Sequence, residues 1–457
     1  MSLLNQKKTI NKQIKLLITK LKNMKKFLIL MLGLIILSTL NAQEEVQKDS
    51  LQMLQEQIDA NANGIKKLNK LKVSGYVQVQ TEYAQEFGST KVGLNTKYMK
   101  DRDFESGEFM RFGVRRGRIK FVWTEKSGSA TFQLDITEKG VGFKDAFIKL
   151  WHPKMKTISL TAGIFDRPFG DEIRYSSSRR ESPERTLTYQ KLFPDERDLG
   201  AMITLAPPTT FSWNGLKLEA GLFSGNGVRL DDNGKMDFIG RLSYVKTESN
   251  YSFGLGVSYY NGMVNNADTF VYNVEKVGNI HKWVKSGIEK NSFNKREYFG
   301  FDAQVTLSSS WGLTSIRGEV LGGTQPSVKG DFGSPKSNTY ADGSLSYKPF
   351  NYMRHFFTGH VYFIQDIYKT PLTLVLKYGY LDPNTQMSGD EITDKTDLFN
   401  KNFGFGLLWR ATPNIRVQAF YEIVSNEFTH SIAINGNADY SKNIADNVFT
   451  LRVQYKF

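Results

Sequence analysis

Phe449-Thr-Leu-Arg-Val-Gln-Tyr-Lys-Phe457 closes the chain, and its parity carries the reading of the fold. Leu451, Val453, Tyr455 and Phe457 alternate with Thr450, Arg452, Gln454 and Lys456. Period-two alternation predicts a strand with one apolar and one polar face. Strands of soluble sandwiches alternate in the same way, so this segment alone leaves open whether the apolar face meets a protein core or lipid.

The pattern recurs upstream. Val77, Val79, Thr81 and Tyr83 alternate with Gln78, Gln80 and Glu82, and Ala130, Phe132, Leu134 and Ile136 with Thr131, Gln133, Asp135 and Thr137. Further sets are Ile158 to Ile164, Leu372 to Tyr380, Phe403 to Trp409 and Ile415 to Ile423. Each apolar face fits a tilted membrane strand of roughly 9–11 residues. The links between them alternate in length. Tight ones such as 125–128, 153–156, 308–311, 368–370 and 412–413 separate long ones at 84–110, 167–197, 263–297, 323–353, 382–401 and 426–446. Short turns at one end and long loops at the other are expected of a membrane barrel. So many long loops are unusual in a compact soluble domain. The sequence therefore predicts an all-β chain, a transmembrane antiparallel β-barrel of about 16 strands over 72–457. The terminal strand, amphipathic and ending in Phe457, resembles the closing strand of Gram-negative outer-membrane β-barrels.

Composition agrees. The 457 residues include 39 Gly, 32 Phe and 21 Tyr, and no Cys, at a mean hydropathy of −0.39. A helical membrane protein needs several runs of about 20 apolar residues; the only approach to one is near the N-terminus. Without Cys there are no disulfides, thiolate metal sites or Cys nucleophiles. Segment 24–42, MKKFLILMLGLIILSTLNA, has the layout of a secretory signal peptide, with cleavage expected after Ala42. Residues 1–23 are Lys-rich and precede a better start at Met24. Residues 1–42 hold eight Lys and no acid, so the formal charge falls from +14 to +6 (14 − 8) in the mature chain. Much of the basic character that would suggest nucleic-acid binding thus leaves with the signal. Over 43–71, Leu51, Leu54, Ile58, Ile65 and Leu68 take a and d positions of a heptad with Asn61 at the remaining one. That predicts a short helix, either a coiled-coil trimerisation stalk or an amphipathic helix packed on the barrel.

Assigning the more polar faces inward gives a lumen with twelve basic and eight acidic side chains, a modest preference for anions. Arg111-Phe-Gly-Val-Arg-Arg-Gly-Arg-Ile-Lys120 is its densest basic feature. Parity sends Arg116, Arg118 and Lys120 inward. They form either an anion ladder, since the guanidinium fork matches phosphate and carboxylate oxygens, or ion pairs with acids on adjacent strands. Arg452 joins them from the terminal strand.

Ala162-Gly-Ile-Phe-Asp-Arg-Pro-Phe-Gly170, Ser176-Ser-Ser-Arg-Arg-Glu-Ser-Pro-Glu-Arg185 and Glu196-Arg-Asp-Leu-Gly200 resemble the phosphate-selective porin O and P family, as does the basic strand 111–120. The resemblance implies a 16-stranded, typically trimeric porin of the Gram-negative outer membrane, with loop 167–197 folded into the lumen as a constriction. That loop holds seven bases, Arg167, Arg174, Arg179, Arg180, Arg185, Lys191 and Arg197, against six acids, Asp171, Glu172, Glu181, Glu184, Asp195 and Glu196. Near-neutrality predicts that many of these charges pair and lock the loop. The expected function is diffusion of small hydrophilic solutes, preferentially anions such as phosphate, through a homotrimer in lipid. The candidate anion-binding residues are Arg116, Arg118, Lys120, Arg167, Arg174, Arg179, Arg180, Arg185 and Arg452. A surface adhesin or binding protein acting through its long loops is the competing class. The five His lack metal spacing and no GxSxG elbow occurs, so neither enzyme nor cofactor is expected.

Overall fold

The computed structural model describes residues 55–61, 64, 69–93, 107–228, 231, 233–266, 268–290, 292–334, 350–434 and 438–457. The signal peptide, Met24 and all but residues 55–61, 64 and 69–71 of the heptad segment lie outside these. The chain divides into Met1–Lys70 and Leu71–Phe457. In the first unit, residues 55–61 are helical.

The second unit is a closed barrel. Its strands are β1 (Leu71–Ala84), β2 (Phe109–Thr124), β3 (Gly128–Thr137), β4 (Gly140–Trp151), β5 (Ile158–Asp166), β6 (Arg197–Leu205), β7 (Leu216–Phe223), β8 (Asp237–Thr247) and β9 (Tyr251–Asn265). They continue with β10 (Phe270–Val277), β11 (Ile280–Gly287), β12 (Phe293–Ser309), β13 (Gly312–Ser327), β14 (Tyr352–Asp366), β15 (Leu372–Asp382), β16 (Asn400–Arg410), β17 (Ile415–Asn426) and β18 (Val448–Lys456). β9 pairs directly with β12, leaving β10 and β11 as a hairpin outside the wall; the other sixteen form the barrel, as the strand patterning predicts. β18 closes on β1 in antiparallel register, Val77 opposite Tyr455 and Gln80 opposite Arg452. Closure leaves no free edge among these sixteen strands, which strands surrounded by lipid require. Past the ladder, the Gly75 N–H donates to the Phe457 carbonyl at 3.0 Å and the Phe457 N–H returns the bond at 2.9 Å. A Cβ on Gly75 would lie 2.5 Å from the Arg118 carbonyl oxygen and 2.5 Å from the Phe457 ring, so only glycine fits beneath the last aromatic.

The outer face is apolar around the whole circumference. Phe112, Phe132, Ile148, Ile203, Leu222, Val257, Phe299, Phe405 and Leu451 are all exposed, whereas Gln78, Gln80 and Glu82 on the opposite face of β1 are buried. Burial that is polar inside and apolar outside inverts the soluble rule and identifies a membrane-spanning wall. Five of the six Trp, namely 123, 151, 213, 311 and 409, sit at the short-turn end, where an aromatic belt meets the membrane interface.

Two features depart from uniform alternation. In β2, Gln78 of β1 faces Arg116 but Val79 faces Val114, so Arg115 is an extra residue, a bulge. In β4 the register shifts between Gln133 and Leu134, which face Asp145 and Phe143, and Lys144 is extra. Each bulge reverses parity along its strand, so Phe112 and Phe121, nine residues apart, both face outward. Turn lengths also have exceptions. Residues 138–139 make a tight turn at the long-loop end, and 206–215 a longer link at the short-turn end.

Candidate functional site

Loop 167–196 leaves β5 at the long-loop end and folds into the lumen, as the family resemblance implies. Gly170, at φ +61°, turns it inward; a Cβ there would collide with the Tyr189 hydroxyl and the Glu319 carboxylate. The Gly170 N–H donates to Ser258 Oγ at 3.0 Å and the Asp171 N–H to Glu319 Oε1 at 2.9 Å. The short helix α1 (Leu187–Leu192) then carries Tyr189 to Glu319 and, one residue earlier, Thr188 to Thr358. Between these anchors the loop reaches the opposite wall. Ser177 meets the Tyr76 hydroxyl at 2.6 Å and accepts from Arg118 at 3.0 Å, and Gln418 donates to the Glu181 carbonyl at 2.6 Å. The loop thus spans the barrel from β9, β13 and β14 to β17, β18, β1 and β2.

It brings its own core. Phe169, Ile173, Tyr189, Leu192 and Phe193 pack with Phe165, Phe223, Ile239, Tyr260, Tyr298, Leu321 and Phe356 of the wall. Sixteen strands enclose a channel rather than a packed core; the loop fills part of it with an aromatic cluster, because its bulky residues have no other shelter from water.

The loop charges pair chiefly with the wall rather than with one another. Arg167 donates to Asp198 at 3.0 Å, Arg174 to Glu219 at 2.6 Å, and Arg197 to Asp145 at 2.8 Å. Arg317 holds Glu181, and Arg185 holds Glu196 together with the carbonyls of Glu172 and Ile173. Glu184 is the most heavily engaged. Arg115 grips it in a fork, Nε to Oε1 at 2.8 Å and Nη2 to Oε2 at 2.9 Å; Arg116 adds 2.9 Å and Arg452 2.6 Å. Burial opposes ionisation of Glu184, but Arg115, Arg116 and Arg452 outweigh it and hold the carboxyl well below its usual range.

Of the residues expected to bind anions, Arg116 and Arg118 do face inward, yet both are paired: Arg116 with Glu184, Arg118 with Asp135 directly across the strands at 3.1 Å. Lys120 stands 3.9 Å from Asp145 and is more exposed. Arg179 is exposed, its guanidinium 5.6 Å from the Tyr175 ring centre. Arg180 is 2 % exposed, and none of its three guanidinium nitrogens has a hydrogen-bond partner. Arg115 and Lys144 enter the site through the two bulges, which parity alone could not locate; Lys144 donates to the Asp195 carbonyl at 2.8 Å.

Two cavities lie under the loop at the short-turn end. One, of about 310 Å³, is lined by six bases, Arg118, Lys120, Arg174, Arg185, Arg197 and Lys456, with Ser176, Ser177 and Ser178, against two acids, Asp145 and Asp166. The other, of about 460 Å³, has Arg174, Arg179, Lys217 and Arg241 against Asp171 and Asp302. Arg174 borders both.

At the opposite end the outer loops pack on one another. Val274 and Trp283 of the hairpin meet Met387, Ile392, Leu398, Ile432 and Tyr440. Arg354 and Asp397 pair there at 2.7 Å, both fully buried.

No protein-family model and no curated protein matches the sequence, so the resemblance to the phosphate-selective porins rests on the motifs quoted above. Solved structures do match in fold. An anion-selective porin from Comamonas acidovorans aligns over 85 % of this chain and 99 % of its own at 11 % identity, with a TM-score of 0.48. The outer-membrane channel DcaP of Acinetobacter baumannii covers 85 % and 97 % at 12 % identity and a TM-score of 0.49. OmpT of Vibrio cholerae, in its trimer form, covers 85 % and 99 % at 11 % identity and a TM-score of 0.47.

Proposed function

We propose that the chain is an outer-membrane porin passing small hydrophilic solutes with a preference for anions, phosphate and similar oxyanions among them. The carrying observation is the 310 Å³ cavity under the constriction loop, where six bases and three serines face two acids. Such a lining replaces part of an anion's hydration with guanidinium, ammonium and hydroxyl donors, while flanking carboxylates keep binding weak enough for release. Of the candidate residues, Arg118, Lys120, Arg174 and Arg185 supply this charge and Arg179 that of the second cavity, whereas Arg116, Arg167, Arg180 and Arg452 line neither. Segment 24–42 would direct export, and three copies would assemble in the membrane. The reading is of a channel, not of an enzyme.

Reconstitution in planar bilayers under a KCl gradient tests it: the reversal potential should have the sign of chloride permeation. Equal permeability to potassium and chloride removes the anion preference and leaves a general porin. The packed outer loops favour a second reading, a surface binding protein, and a barrel of that kind stays electrically silent.

A further inference from the structure

The proposal concerns Glu184 and rests on the porin reading above. Its two carboxylate oxygens receive four bonds of 2.9 Å or less from Arg115, Arg116 and Arg452, so three positive charges surround one negative. No hydrogen bond relieves the surplus. Arg180, buried and without a hydrogen-bond partner, is repelled by Arg185 and Arg116 more than it is attracted by Glu196 and Glu184. Gln80 spends its carbonyl oxygen on Arg452 at 2.7 Å, and its Nε2 is buried with no acceptor. Donors and positive charge both exceed what a carboxylate can use. A buried guanidinium without a partner is costly, so the arrangement is poised for an acceptor with more oxygens and more charge. We propose that Arg115, Arg116, Arg180 and Arg452 form an oxyanion site whose built-in occupant is Glu184, and that permeating tetrahedral oxyanions of the phosphate class compete with Glu184 for it.

The consequence is a specificity device. Glu184 sits on the loop segment crossing the lumen, with Pro183 beside it and the Ser182 hydroxyl donating to its carbonyl at 2.7 Å. A monovalent anion that offers a single acceptor cannot displace a carboxylate held by three guanidiniums, whereas a polyvalent oxyanion can. Because the free site is only a fraction of the population, neutralising the occupant raises apparent affinity.

Block of chloride current by inorganic phosphate, measured in bilayers on the full-length channel, tests this. The expected result is half-block at a phosphate concentration about tenfold lower in Glu184→Gln than in wild type, with Arg180→Met in the same background reversing the gain. Unchanged or weaker block in Glu184→Gln overturns the proposal, and so does higher conductance with unchanged block, which marks Glu184 as a loop anchor alone. If Glu184→Gln does not fold, Glu184→Asp, which retracts the carboxylate by one methylene, carries the same expectation at smaller amplitude. If the wild type carries no current, the porin reading falls. Calorimetric titration of phosphate into the detergent-folded proteins then decides: tighter binding by the variant supports the site, equal or weaker binding overturns it.

Discussion

Arg180 and Glu184 sit four residues apart on the same loop, and the barrel treats their charges oppositely. Burial, with Arg185 and Arg116 adding repulsion, pushes the Arg180 guanidinium down to about 9. Replacing it by Met keeps length and removes a buried charge that no hydrogen bond satisfies, so Arg180→Met should stabilise the folded barrel by on the order of 2 kcal/mol. Resistance to urea of the detergent-folded protein measures this; lower resistance would show that the guanidinium has a stabilising partner. Glu184 works in the other direction. Its folded value lies well below the ordinary 4.5, so its contribution is complete above that value and is lost only as pH falls through the depressed one. The pH dependence of chloride conductance from about pH 8 to about pH 5 should therefore be the same in wild type and Glu184→Gln, and a step present in wild type but lost in the variant would mean the carboxyl is not held by the three guanidiniums. The sequence shows that the loop is rich in charge and near neutrality. Which cation lacks a partner depends on where the loop crosses the lumen, and that is set by contacts with residues 90 or more positions away, such as Ser177 with Tyr76 and Gln418 with Arg180.

At the scale of single elements, the bulges matter most. Alternation reads correctly within each stretch of strand and fails across Arg115 and Lys144, because one inserted residue sends its successors to the opposite face without altering local composition. Deleting Arg115 should restore regular pairing while keeping Phe112 and Ile119 toward lipid, since Val114 and Arg116 already face opposite ways. The expected product is a folded barrel, seen as an unheated band shift in gel electrophoresis, with a looser constriction and noisier current. A band that does not shift would mean that the bulge is required for closure. At the seam, Gly75→Val places side-chain atoms against the Arg118 carbonyl and the Phe457 ring. Its folded fraction should drop several-fold in the same assay, roughly the effect of 1–3 kcal/mol from overpacking.

Taken as a whole, the barrel was legible because lipid imposes a simple rule, apolar outward and polar inward, on every strand. The outward sets quoted from the sequence are exposed or half-buried in the structure, and the long-loop and short-turn ends fall where link lengths place them. The lumen obeys no such rule. Its aromatic cluster is assembled by a loop whose path no periodicity encodes. The proposed anion preference rests on charge lining the two water-accessible cavities, so it should be screened by salt. Raising KCl from about 0.1 M to about 1 M shortens the Debye length from about 10 Å to about 3 Å. The chloride-to-potassium permeability ratio should fall toward unity over that range, and a ratio independent of salt would place selectivity in dry, buried groups.

The indole rings give the molecule an optical polarity. With Trp123, Trp151, Trp213, Trp311 and Trp409 at the short-turn end and Trp283 on the outer hairpin, nearly all tryptophan emission comes from one leaflet boundary. Brominated lipid confined to that leaflet should quench most of the fluorescence, and the same lipid in the other leaflet little. Steady-state light can therefore report which way the barrel has inserted, with no label attached.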